Sequence, residues 1–166
     1  MKKLIYILTI LLLGAATQTL SAQTPADLIE KYKEINGVES KSVGKEELIE
    51  NGIFDRMQEI AVNGRVDSMT AIGLVQCDEA VINEFREEIK VLKNIGEYEE
   101  LNVDDVGMEG AEHRVMIKKE SGLIREIYIF LHLSLPDPEN PEQMKNVAII
   151  TVLYGEMEDV DLTKMG

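Results

Sequence analysis

Few side chains in this sequence pair a reactive atom with a neighbour able to activate it. The chain holds one cysteine, Cys77, and two histidines, His113 and His132. Cys77 stands directly before Asp78 at the start of a helical pattern, where backbone N–H groups favour a thiolate. A nucleophilic thiol also needs a general base. Both histidines fall on predicted strands, and nothing in their spacing brings either one to the cysteine. Asp78 opposes ionisation of its neighbour, and a free cysteine is most often a small buried hydrophobe. With a single cysteine, an intramolecular disulfide is ruled out.

The histidines lack a second histidine or cysteine at ligand spacing, so a transition-metal site is not expected. His113 opens its strand and is predicted to be exposed. His132 lies near the end of a buried strand, on the face of Tyr128 and Phe130. Carboxylates gather at Asn102-Val103-Asp104-Asp105 and again at Glu156, Glu158, Asp159 and Asp161. Calcium takes six to eight oxygens, and an EF-hand loop places them at fixed positions. Counted from Asn102, position five is Val106 and position twelve is His113, which is no EF-hand. Glycoside hydrolysis by paired carboxylates wants a sugar cleft, yet the chain has no Trp and three Phe. Phosphate-cradling loops and nucleophile elbows are missing too. The sequence therefore predicts no catalytic residues, no cofactor and no metal.

Charge limits the partners. The formal net charge is −14, which repels phosphate backbones and anionic head groups and argues against nucleic acid. An acidic surface of this kind keeps an exported protein soluble and tolerates a basic partner. Export is what the first residues indicate. Lys2 and Lys3 precede an apolar run from Leu4 to Ala16, followed by small residues at Leu20-Ser21-Ala22. That is the pattern of a secretory signal, too short for a spanning helix of about 20 residues. Cleavage is expected between Ala22 and Gln23, and loss of two lysines takes the charge from −14 to −16. Position 23 is not a cysteine, so lipid attachment is not expected. The mature chain, 23–166, is the length of one domain, periplasmic or secreted.

Periodicity supplies the elements that would position these residues. Thr24-Pro25-Ala26-Asp27 reads as a capped helix start, with Leu28, Tyr32 and Ile35 on one face and Asn36-Gly37 at its end. Val38 to Val43 is a weak strand. Gly44 to Ala61 is helical with a break at Gly52, and Asn63-Gly64 signals a turn. Val66 to Leu74 follows as a strand with Val66, Ser68, Thr70, Ile72 and Leu74 on one face. Asp78 to Asn94 is a helix with the stripe Val81, Phe85, Ile89 and Leu92. Strands are then predicted over 101–108, 113–119, 123–135 and 147–154, with a hairpin at Glu120-Ser121-Gly122. A surface loop spans Ser134 to Asn146 around Pro136, Pro138 and Pro141, and a short helix starts near Asp161. Most of the eight methionines fall within these patterns as core. This order predicts an α+β two-layer domain: an antiparallel sheet of five or six strands with helices packed on one face.

Read together, four stretches carry a family resemblance. They are Tyr32 to Glu39, Asn63 to Met69, Gly96 to Leu101, and Arg114 to Phe130 with Val147 to Leu162. In that order the chain resembles a Bacteroidetes family of small exported proteins, domain of unknown function 4252. The resemblance implies an envelope or secreted location and an α+β domain, and implies no activity or functional residue. The expected function is a non-catalytic module binding an envelope protein or small ligand through its sheet or acidic surface. The alternatives are an envelope hydrolase or redox enzyme using Cys77, and a calcium-tuned structural module.

Overall fold

The computed structural model describes residues 24–52, 62–92, 96–101, 111–137, 140 and 142–160. The leader with Ala22 and Gln23, the run 102–105 and Asp161 lie outside these residues. Local rules set the first elements. Helix α1 spans Pro25–Lys33 and starts in a capping box: the Asp27 N–H donates to Thr24 Oγ1 at 3.2 Å, and the Thr24 N–H donates to Asp27 Oδ2 at 3.1 Å. Two of the helix's orphan N–H groups are satisfied in this way. Strand β1 (Glu39–Gly44) leads straight into helix α2 (Lys45–Glu50). The helix ends where Asn51 and then Gly52, at φ +65°, turn the chain.

Strand β2 covers Val62–Gly73 and helix α3 covers Glu79–Val91. Strands β3 (Tyr98–Leu101), β4 (Glu112–Glu120), β5 (Leu123–Pro136) and β6 (Met144–Val160) follow. All six strands form one antiparallel sheet in the order β1-β2-β6-β5-β4-β3. Ser121 and Gly122 join β4 to β5 with φ of 53° and 83°. Two successive positive φ values make the tight hairpin turn whose twist suits the flanking strands.

Sheet alternation divides the apolar residues into two clusters. Leu28 and Tyr32 of α1 and Ile82, Phe85 and Ile89 of α3 share one cluster with Ile72, Met116, Tyr128, Phe130 and Ile150. Val115, Ile117, Ile127 and Leu153, alternating with these along their strands, belong to the other, together with Leu48 of α2. Strands β5 and β6 are apolar on both sides because they lie at the centre of the sheet.

Three expectations need correction. Asn63-Gly64 is no turn: β2 begins at Val62, and both residues pair with β6, Asn63 with Asp159 and Gly64 with Met157. The bulge between Val66 and Ser68 also shifts the register by one residue. One extra residue reverses which face each side chain takes, so Val66 joins the second cluster while Ile72 and Leu74 stay in the first. The proline-rich loop is shorter than expected. Ser134 pairs with Asn146 and Pro136 with Met144, so both strands run into it. A proline at the last strand position keeps its fixed φ and lacks only a donor that the ladder's end does not need.

Smaller boundary shifts have the same origin in tertiary pairing. Strand β3 starts at Tyr98, opposite Lys118, ahead of the expected Leu101. Strand β6 continues past Tyr154 to Val160 because β2 extends far enough to pair with it. Helix α3 stops at Val91, where Leu92 turns to extended backbone at ψ 134° and is buried.

Candidate functional site

Cys77 sits in the bend that carries β2 into α3, so a helix start does follow it as the sequence indicates. Its side chain is only 7% exposed and packs in the cluster shared by α1, α3 and the sheet. Burial pushes the thiol pKa up, and the Asp78 carboxylate adds to the rise; Lys145 pulls weakly the other way. Among the described residues the sulfur makes a polar contact with the Asn36 carbonyl at 4.0 Å. A cavity of 230 Å³ beside it is lined by Glu79, Ile82, Asp137, Met144, Lys145 and Asn146, with no histidine among them. The thiol is thus held protonated, the reverse of an activated nucleophile.

His132 and His113 are separated by the pleat. His132 is 9% exposed on β5, directly opposite Glu112 of β4. Arg86 of α3 grips that glutamate through both guanidinium arms, with Nε donating at 2.5 Å. The His132 Nε2 is buried and has no hydrogen-bond partner among the described residues. Burial lowers its pKa, and the Arg86 charge lowers it further, against the opposing pull of Glu112. His113 is half-buried, not exposed as expected, and is the second residue of β4, which begins at Glu112. It lines a 360 Å³ cavity with Ile89, Lys90, Ala111, Glu112 and Arg114.

An acid titration separates these groups. An imidazole whose folded pKa is lowered holds fewer protons than the unfolded chain. The stability difference is fully present above the ordinary value of 6.5 and is lost as pH falls below it. Glu112 behaves as a carboxylate lowered by Arg86, and it loses its contribution only as pH falls below 4.5. Among the described groups whose pKa the fold shifts, His132 is the one whose contribution is lost between 4.5 and 6.5. Urea midpoints across that range should decline with acid for the native chain and decline less for His132→Gln. Parallel profiles would assign the slope to other groups.

The described part of the acidic tail ends in separate places along β6. Glu156 is taken by Arg125 at 2.5 Å and Arg65 at 3.3 Å, which hold its carboxyl below the usual range. Glu158 and Asp159 are exposed farther along β6. No group of three or more histidine, cysteine or acidic side chains suited to a metal ion occurs among the described residues. A half-buried polar cluster lies on β4 and β5. The Tyr128 hydroxyl donates to Glu126, which also takes the Lys118 ammonium at 3.0 Å. That contact raises the Lys118 pKa, so it is no candidate base.

Polar interest shifts to the sheet's edges, which sequence periodicity could not rank. No family model, curated protein or solved structure matches this chain. Its function must therefore be argued from its own residues.

Among the described residues β1 and β3 are the edge strands. Strand β3 is four residues long. Its Glu100 is bound by both arms of Arg114, at 2.6 and 2.7 Å, and its Glu99 by Lys119 at 2.8 Å. Short and charged is how natural edges are protected. Strand β1 differs. Glu39, Ser40, Lys41 and Ser42 are all exposed, and six residues pair with β2 without a register break. The strand has no proline and no bulge, and its one lysine is drawn to Glu47 of α2 at 3.0 Å. Ser42 and Thr70 share a hydroxyl hydrogen bond at 2.8 Å, tying β1 to its single neighbour. The only sequence signal for this edge was negative, a strand-length run with one buried apolar residue, Val43.

Proposed function

We propose that the chain is an exported, non-catalytic interaction module that takes up an extended segment of an envelope protein along β1. The carrying observation is the straight, exposed outer edge of that strand. Strand addition obtains affinity from main-chain hydrogen bonds and specificity from alternate side chains. The charge of −14 favours a basic or neutral segment over an acidic one. The export signal, the cleavage between Ala22 and Gln23 and the likeness to the exported Bacteroidetes family belong to the same reading. So does a two-layer arrangement, with α1 and α3 covering one side of the sheet. Among the described residues, no helix is long and apolar enough to cross a membrane. Burial of Cys77 and the raised pKa of its thiol favour this reading over the enzymatic alternative.

The test is crosslinking capture from envelope extract with the native chain, Ser40→Pro and Ser42→Pro. Proline removes one N–H and cannot extend a ladder. Neighbouring residues on a strand point their N–H groups in opposite directions, but Ser40 and Ser42 point the same way. Lys41→Pro therefore completes the set. The substitution whose N–H faces away from β2 should keep the native melting temperature and lose the captured protein. If capture survives every folded proline variant, β1 is not the docking edge. If a folded, abundant bait recovers nothing, the protein-partner reading fails and small-ligand binding replaces it.

A further inference from the structure

Three asparagines in this chain precede glycine: Asn36-Gly37, Asn51-Gly52 and Asn63-Gly64. An Asn-Gly pair is the sequence most prone to spontaneous succinimide formation, because glycine offers an unhindered backbone nitrogen to the asparagine side chain. Whether the reaction proceeds in a folded protein depends on how firmly that nitrogen and the side-chain amide are held. The fold treats the three pairs differently.

Asn63 and Gly64 are locked in the β2–β6 ladder, opposite Asp159 and Met157. Gly64 lies so close to β6 that a Cβ there would stand 2.5 Å from the Glu156 carbonyl oxygen. Asn51 closes α2, and the Gly52 N–H donates to the Ile49 carbonyl at 3.0 Å. Asn36 and Gly37 are the two central residues of a turn closed by the Val38 N–H on the Ile35 carbonyl at 3.2 Å. Central position explains why the Gly37 N–H makes no hydrogen bond among the described residues. The Asn36 side chain is exposed and makes no hydrogen bond among the described residues.

We infer that Asn36 is a site of spontaneous deamidation in the folded protein, with water as the only co-reactant. The Gly37 nitrogen gives up its proton to solvent base and attacks Asn36 Cγ. A C–N bond forms and ammonia leaves, closing a five-membered succinimide. Water then opens that ring at either carbonyl, giving an aspartyl or an isoaspartyl residue at position 36. No oxidant or reductant is involved. The isoaspartyl product adds a methylene to the main chain between α1 and β1, where space is scarce. A Cβ on Gly37 would already stand 3.0 Å from the Gln76 carbonyl, and the Asn36 carbonyl faces the Cys77 thiol. The added charge and length thus fall at the hinge of β1.

The experiment is timed incubation of the full chain in mildly alkaline buffer, followed by peptide mapping of the amide-to-acid mass change and an isoaspartate assay. The same incubation in concentrated urea supplies the unfolded reference. Expected in the folded protein is conversion at Asn36 on the order of tenfold faster than at Asn51 or Asn63, because those sites must first open locally. In urea the three sites should converge. Asn36→Gln should remove the fast component and leave the melting temperature unchanged. Equal rates at the three sites in the folded protein would overturn the inference, as would a faster rate at Asn63.

Discussion

Gly155→Ala should destabilise the domain by about 3 kcal/mol or more, the upper range for forcing extra atoms into a packed interior. The reason is a close approach between backbones. Gly155 pairs with Val66 on β2, next to the register shift between Val66 and Ser68. A Cβ on Gly155 would stand 2.0 Å from the Arg65 carbonyl oxygen and 3.0 Å from Val66 Cα. Neither atom is the end of a flexible side chain, so relief requires the backbones of β2 and β6 to separate. Gly64, across the same bulged stretch, meets the Glu156 carbonyl oxygen in the same way. The two glycines let β2 and β6 cross tightly where the bulges increase their twist. Gly44→Ala is the control, since nothing lies within 4 Å of the added methyl and its φ of −85° suits any residue. Chemical denaturation of both variants checks the prediction. Similar midpoints for Gly155→Ala and Gly44→Ala would mean that β2 and β6 do not approach as closely as described.

The same bulges mark the limit of what the sequence could reveal. Strict alternation from Val66 to Leu74 puts five residues on one face, and the bulge after Val66 breaks the first of its four steps. The register shift is created by pairing with β6, some ninety residues later, and leaves no local signature beyond Asn63-Gly64. Glycine there reads as a turn by composition, because turns and bulges both need positive φ. By contrast, the capping box at Thr24 and Asp27 is a short-range bond pattern, and short-range patterns are legible. So is the alternation of Val115 and Ile117 against Met116, which the two clusters divide as expected.

The candidate site was legible mainly by subtraction. Cys77, His113 and His132 are visible as residue types, but their isolation from one another depends on the pleat and on burial. Arg86, which reaches Glu112 and lies beside His132, carries no sequence signal beyond a polar place in the helix periodicity. The β1 edge is a property of strand order, and strand order depends on long-range pairing that a single sequence does not encode locally. A weak strand at Val38 to Val43 is equally compatible with a central or a marginal place in the sheet.

The second large effect concerns how α3 is held. Phe85→Ala should cost about 3–5 kcal/mol, as truncation of a fully enclosed aromatic does. Phe85 is 0% exposed and stands at the centre of its cluster. Its ring meets Tyr32 of α1 edge-to-face, with centroids 5.1 Å apart, and Phe130 of β5 at 6.3 Å. One side chain therefore joins both long helices to the middle of the sheet, and removing it leaves a void bordered by three elements. The ion pairs across the same helices are poor substitutes. Lys31 reaches Glu84 at 2.7 Å and Glu88 at 2.6 Å, but the Lys31 and Glu84 side chains keep contact with water, where an ion pair contributes little. Val91→Ala, six residues along the same helix at 57% exposure, should change stability by no more than about 0.5 kcal/mol. Urea denaturation of the two variants makes the comparison. A small loss for Phe85→Ala would mean that α3 is held to the sheet by its polar edge and not by its aromatic centre. In that case Arg86→Ala, which releases Glu112, would become the more damaging substitution.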